Sequence, residues 1–213
     1  MTVLIINPNS TDAMTRAMIA AARQVEPGLE FEGWTSRNGP ASIQGADDGE
    51  AASGPLLDLV DKAAHAKGII IGCFDDTALG QAARRVDCPV FGIGQAAFHF
   101  CALRQWRFSV VTTLPVSVPV IEENLVRYGL APFCAKVHAS DVSVLALESD
   151  PDAAIGPIVE TARKAQSADG IDAVILGCAG MVHVVHAVRH AINIPVIDPV
   201  EAAATGMGWL IRL

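Results

Sequence analysis

Two segments of the 213-residue chain repeat one pattern. GIIIGCFDDTALGQAARRVDCPVFGIGQAA (residues 68–97) and DAVILGCAGMVHVVHAVRHAINIPVIDPVEAA (residues 172–203) share the same sequence of parts. Each runs from an aliphatic stretch through Gly-Cys into a helix-length segment. Each then continues to a Pro-led aliphatic stretch and a polar residue before Ala-Ala. Cys73 and Pro89 align with Cys178 and Pro195 within one residue of slack, and Gln95 aligns with Glu201. A duplication of this length constrains the fold more than any single motif. It predicts two half-molecules of like topology, each presenting one cysteine from the same structural position.

The surrounding pattern alternates strands and helices. The β-branched run at residues 2–7 reads as a buried strand, and Ser10 or Thr11 can cap a helix reaching about Val25. Residues 29–36 alternate apolar and polar, as a more exposed strand does. Residues 37–54 carry the Gly, Pro, Asn and Asp of a long loop, a length often found in functional lids. A helix is expected over residues 55–66. Further strands fall at GIIIGC, PVFGI, FSVVTT and AKVHAS. Further helices start near Thr77 and cover 95–104, 117–128 and 152–168. This alternation predicts an α/β fold of two pseudo-symmetric lobes, each a mostly parallel sheet flanked by helices. The expected lobes are residues 1–97 and 98–199. A C-terminal helix, 200–213, returns to the first lobe, because Glu201 and Gln95 hold equivalent crossover positions.

Composition narrows the partners. Hydrophobic residues make up 51% of the chain and aromatics only 5%, so the core is aliphatic. A net charge of −8 without a basic cluster argues against nucleic-acid or acidic-membrane partners, which need local Lys and Arg. No apolar run approaches the ~20 residues needed to span a bilayer, and the N-terminus lacks a signal-peptide pattern. Five cysteines fit neither a disulfide framework nor a zinc ribbon. The expectation is a soluble, cytoplasmic protein.

In open parallel sheets ligands collect at the carboxyl ends of the strands. Asn7, Cys73, Thr112, Thr113 and Cys178 all fall there. Both cysteines are expected just ahead of a helix N-terminus, which would lower the thiol pKa from about 8.5. The free N–H groups there could also hold an oxyanion, and Ala179 and Gly180 leave room for a ligand to reach the backbone. Two facing cysteines suit inversion of a carbon centre: a thiolate removes a proton from one face while a thiol delivers one to the other, without a cofactor. The other features read as structural. Cys88, Cys101 and Cys134 are expected in the core. His183, His186 and His190 share a helix face that is more often polar than metal-binding. His65, His99 and His138 have no evident partner, and Asp47, Asp48 and Glu50 suit a solvated loop. GIGQAA lacks the third glycine of a dinucleotide fingerprint.

INPNST (6–11), GPASIQG (39–45), GCFDD (72–76), VVTT (110–113), GCAGM (177–181) and IDPVEAA (197–203) occur in order along the chain. As a set they resemble the aspartate/glutamate racemase superfamily, within it the hydantoin racemase branch that includes allantoin racemases, over essentially the whole chain. The resemblance implies a cofactor-independent racemase with its site in the cleft between two lobes, Cys73 and Cys178 as the acid/base pair, and a homo-oligomer. Asn7, Thr112 and Thr113 are implied substrate contacts, and Ile43 and Phe74 are expected to shape the pocket for a 5-substituent. Asp75, Ala179 and Gly180 complete the expected site. The sequence departs from the family at two points. Asp75-Asp76-Thr77 stands where hydantoin racemases often carry Gly-Asp-Pro, so an extra carboxylate is expected to alter substrate choice or raise the Cys73 pKa. Ala179-Gly180 replaces the Thr-His of glutamate racemases, which argues against an amino-acid substrate. The leading expectation is inversion of C5 in 5-substituted hydantoins, allantoin among them. The rivals are an aspartate/glutamate-type racemase, a decarboxylase needing one cysteine, and a non-catalytic small-molecule binding protein on the same fold.

Overall fold

The computed structural model describes residues 2–212. The first half runs β1 (Thr2–Asn7), α1 (Asp12–Val25), β2 (Glu30–Thr35), α2 (Ala46–Val60), β3 (Gly68–Ile71), α3 (Leu79–Ala82), β4 (Val90–Gly92) and α4 (Ile93–Leu103). The second runs β5 (Phe108–Thr112), α5 (Val118–Arg127), β6 (Cys134–Ala139), α6 (Val144–Ser149), α7 (Pro151–Ala168), β7 (Ala173–Leu176), α8 (Val185–Ala191), β8 (Val196–Ile197) and α9 (Pro199–Leu210). All strand pairs are parallel, in two four-stranded sheets ordered β2-β1-β3-β4 and β6-β5-β7-β8. The two orders are the same order, so the duplication extends beyond the segments in which the sequence shows it.

Each sheet is covered on both faces, which explains why its central strands are uninterrupted aliphatic runs. Val3 to Ile6 in β1 and Ala173 to Leu176 in β7 are fully buried. Helix α1 turns Met14, Met18 and Ala22 inward at four-residue spacing. The largest core cluster is shared by the halves, running from Val3, Ile5 and Phe31 through Phe98 and Phe108 to Ile175 and Met207. Phe98 on α4 stacks on Phe108 of β5 with centroids 5.8 Å apart and meets Phe74 edge-on at 5.3 Å. In return α9, which follows β8, packs on α1, β3 and α4. Met207 of α9 lies so close to Gly68 that a Cβ there would collide with it. Each half therefore lends its last helix to the other. Positions 1 and 213 of the expected lobe boundaries lie outside the described residues.

Two expectations need correction. The loop expected over residues 37–54 ends at Gly45, and α2 occupies residues that carry Gly49, Gly54 and Pro55. These helix breakers are outweighed by burial of Ala52, Leu56, Leu57 and Val60. Acidic Asp47 and Asp48 in the first turn also suit the positive helix end. The helix expected near Thr77 is only the single turn α3. Asp76 and Ala78 take left-handed backbone angles, φ 50° and 51°, which hold the chain out of helix until Leu79.

Candidate active site

β3 and β7 occupy equivalent positions in the two sheets, and each is followed by Gly-Cys. Gly72 N–H bonds to Ile6 O at 2.8 Å and Gly177 N–H to Val111 O at 2.7 Å. These bonds extend each ladder by one residue and carry each cysteine to a strand tip. Both places are crowded. A Cβ on Gly72 would lie 2.7 Å from Met18 Sδ, and one on Gly177 would lie 2.8 Å from Val110 Cγ1.

Cys73 and Cys178 line one cavity. Of the other expected site residues, Ile43, Phe74, Asp75, Thr113, Ala179 and Gly180 line it too. Asn7 and Thr112 do not. Asn7 is fully buried, and its Nδ2 donates to Asn9 Oδ1 at 2.9 Å, Thr11 O at 3.1 Å and Thr15 Oγ1 at 3.1 Å. Thr112 Oγ1 donates to Gly177 O at 3.0 Å. Both side chains are spent on holding backbone, Asn7 for the turn after β1 and Thr112 for the peptide before Cys178. Residues not singled out from sequence also reach the cavity: Asn9, Met14, Ser117 and Val144. Asn9 stands inside the INPNST motif and Met14 on the inward stripe of α1, so a signal existed for both. Ser117 and Val144 carry none. Gln44 closes the rim by accepting the Val144 N–H at 2.9 Å, a bond between the halves. The cavity holds about 20 Å³, the room of roughly one water. A ring-sized ligand enters only when the walls part.

The thiols are not activated by helix ends. Burial pushes Cys178 up to about 12, opposed by the Gly180 N–H and raised further by the charges of Asp75 and Glu148. The Cys73 pKa is raised well above its usual value, first by burial and then by Asp75, with the Thr77 hydroxyl and the Asp75 backbone N–H opposing the rise. The expected lowering fails for a structural reason. Cys178 precedes a five-residue 3₁₀ turn (Ala179–His183), and Cys73 is separated from α3 by the left-handed residues. Neither supplies the dipole of a full helix.

Asp75 also feels its surroundings: burial raises its pKa to about 7, opposed by the Gly45 N–H. Asp76 points away from the cavity. Its Oδ1 accepts the Gly94 N–H at 3.1 Å, and its Oδ2 accepts the Gln95 N–H at 2.8 Å and the Tyr128 hydroxyl at 2.9 Å. Asn124 Nδ2 donates to Asp75 O at 2.8 Å. The loop after Cys73 is thus held from α4 and α5. His183 and His190 sit on different elements, because the 3₁₀ turn ends at His183 and α8 starts at Val185. His183 Nε2 lies 3.4 Å from Glu148 Oε1, and His190 Nδ1 lies 2.7 Å from His186 O. Among the described residues no cluster of three His, Cys, Asp or Glu is placed to hold a metal. Cys88, Cys101 and Cys134 lie outside the cavity.

Fold and cleft define a two-sheet α/β protein whose halves each deliver a thiol to one shared cavity. The family model for Asp/Glu/Hydantoin racemase matches residues 3–207. The hydantoin racemase of Rhizobium meliloti is 40% identical over 207 residues, covering 95% of this chain and 86% of the relative. The allantoin racemase structure from Klebsiella pneumoniae superposes with a TM-score of 0.94 at 35% identity, covering 100% of this chain and 88% of that one. The allantoin racemase structure from Pseudomonas fluorescens also gives 0.94, at 34% identity, covering 100% and 91%. The chain belongs to the Asp/Glu/Hydantoin racemase family. It is an isomerase acting on a small molecule.

Proposed function

We propose that the protein racemises 5-substituted hydantoins at C5, with Cys73 and Cys178 as the paired acid and base. The observation that carries this reading is the arrival of one thiol from each half in a single cavity. C5 lies between a ring carbonyl and a ring nitrogen, so its proton is acidic and the carbanion spreads into the carbonyl. One sulfur, as thiolate, takes the C5 proton. The other, as thiol, gives its proton to the opposite face. The pair ends with its protons exchanged, ready for the other enantiomer, and no electrons leave or enter.

The lining favours a neutral ring over an amino acid. No Lys, Arg or His stands among the cavity-lining residues, and the ionisable group beside the cysteines is the acid Asp75. An amino acid's α-carboxylate would face Asp75 without a countercharge. Chirality and deuterium exchange together test the reading. An enantiopure hydantoin incubated with the purified protein in D₂O should lose optical activity while one deuterium enters C5. Retained optical activity across the hydantoin series would overturn it.

The finer expectations stand with this proposal: lobes at 1–97 and 98–199 with 200–213 joining the first, no cofactor, no nucleic-acid or membrane partner, a cytoplasmic location and a homo-oligomer. Family membership supports the oligomer, and light scattering would test it. Among the described residues, no helix is long and apolar enough to cross a membrane.

A further inference from the structure

Asp75 has a feature that catalysis by two thiols does not require. Its Oδ2 is buried and has no hydrogen-bond partner, although the residue lines the cavity between the cysteines. Its charge is felt at both sulfurs, raising each thiol pKa. It shares the lining of that cavity with both sulfurs. The backbone that carries it is fixed. Asn124 holds its carbonyl, and the next residue, Asp76, is tied to Gly94, Gln95 and Tyr128. The acceptor is thus preorganised, and an unmet buried acceptor is costly to keep unless a ligand satisfies it.

A hydantoin with C5 between the sulfurs brings its 5-substituent and N1 to this neighbourhood. An alkyl substituent would leave Oδ2 buried and unpaired. A substituent carrying N–H groups would satisfy it with a charge-assisted bond. We propose that Asp75 selects hydantoins whose 5-substituent carries N–H donors, a ureido group being the matching chemistry, and discriminates against alkyl 5-substituents. This rests on the hydantoin reading of the site and adds the substituent class to it.

The test compares kcat/KM for enantiopure 5-ureidohydantoin (allantoin) and 5-isobutylhydantoin in the wild type, Asp75→Asn and Asp75→Ala. Asn keeps the shape but can turn an amide N–H₂ toward the donors. Ala removes the acceptor outright and serves as the second variant. Wild type should prefer the ureido substrate. The ureido-to-alkyl ratio should fall by about 10- to 100-fold in both variants, the loss expected for a hydrogen bond to a charged partner. A ratio that stays within about threefold of wild type in both variants overturns the proposal, as does a wild type that prefers the alkyl substrate. Equal losses on both substrates also overturn it, because Asp75 would then serve the ring N–H common to all hydantoins. In each of these cases the hydantoin reading survives, since racemisation is still seen. If wild type racemises neither compound, the hydantoin reading itself fails and the substituent proposal falls with it.

Discussion

The two halves share a strand order and a Gly-Cys strand tip, but they cap their last helices differently. In the second half α9 is capped by the residue at its own N-terminus: Asp198 Oδ1 accepts the Val200 N–H at 2.7 Å and the Glu201 N–H at 3.3 Å. In the first half α4 is capped by Asp76, which comes from the loop just after Cys73. The same carboxylate takes the hydroxyl of Tyr128 at the end of α5, in the other half. The Cys73 loop is therefore tied into the helix packing of both halves. The Cys178 turn rests on its own N–H groups and on the Thr112 bond. Duplication sets where the two sulfurs emerge. How each loop is closed decides what else that sulfur depends on.

The strongest test of symmetry is at the sulfurs. Cys73→Ser and Cys178→Ser should each lose net racemisation by on the order of 10²–10⁴-fold, the contribution of a positioned acid or base. Each variant should still exchange the C5 hydrogen of one enantiomer, and the two should prefer opposite enantiomers when followed by NMR in D₂O. If both exchange the same enantiomer, the sulfurs do not flank the carbon as a pair.

The asymmetry is tested at the caps. Asp198→Ala should cost about 1 kcal/mol of stability, a cap loss, and leave kcat within a factor of about two. Asp76→Ala should cost about 2–4 kcal/mol, because the Tyr128 hydroxyl loses its acceptor along with the cap. It should also lower kcat by about tenfold or more as the Cys73 loop loosens. Urea denaturation and initial rates measure both. Burial also raises the Asp76 pKa from 3.8 to about 7. The native state then binds a proton that the unfolded chain has released, so this contribution is present below pH 3.8 and is lost as pH rises through about 7. Asp76→Asn should flatten that part of the stability profile. Equal kcat losses at both caps would erase the distinction between the halves.

Much of this architecture was legible. The duplicated Gly-Cys units, the aliphatic strands and the parallel alternation all follow from local periodicity and burial, and most of the expected cavity lining lies in those motifs. What was not legible depends on distant contacts. Breakers in α2 mislead because the face it buries decides its length. Asn7 and Thr112 sit at strand tips as substrate contacts would, but a tip residue can turn back to bind backbone, and sequence does not say which. Thiol activation was misjudged because the length of the following helix was. Asn124, Tyr128 and Gln44 act across the two halves, and no local pattern marks such pairs.

The two cysteines also differ in charge environment. With both thiol pKa values raised, a thiolate is scarce near neutrality, so kcat/KM should climb about tenfold per pH unit through that range. Asp75 raises both thiol pKa values, and it stands two residues from Cys73 on the same loop. Asp75→Asn should therefore shift the rise to lower pH, by up to about one unit, and more for the enantiomer whose base is Cys73. The pH–rate profiles of the two enantiomers, measured separately, would show it. A shift equal in both directions would mean that Asp75 acts on the cleft as a whole.

The smallest effect isolates one of the ties between the halves. Tyr128 is the sole tyrosine of the chain, and Phe at this position keeps the ring packed against Phe98. Tyr128→Phe removes one donor from Asp76, which keeps the N–H groups of Gly94 and Gln95. The loss should be about 1 kcal/mol, toward the low end for a bond to a charged group, because the acceptor is left partly satisfied. The sign with pH distinguishes this bond from simple packing. The hydroxyl favours the ionised carboxylate and lowers the Asp76 pKa, against the larger rise from burial. Its contribution should therefore be smallest where Asp76 is protonated and grow as pH rises through about 7. Urea denaturation of wild type and variant at pH 5 and pH 8.5 measures the difference. A gap that stays constant with pH would assign the loss to the ring's surroundings and leave Asn124 as the side-chain link from the Cys73 loop to the second half.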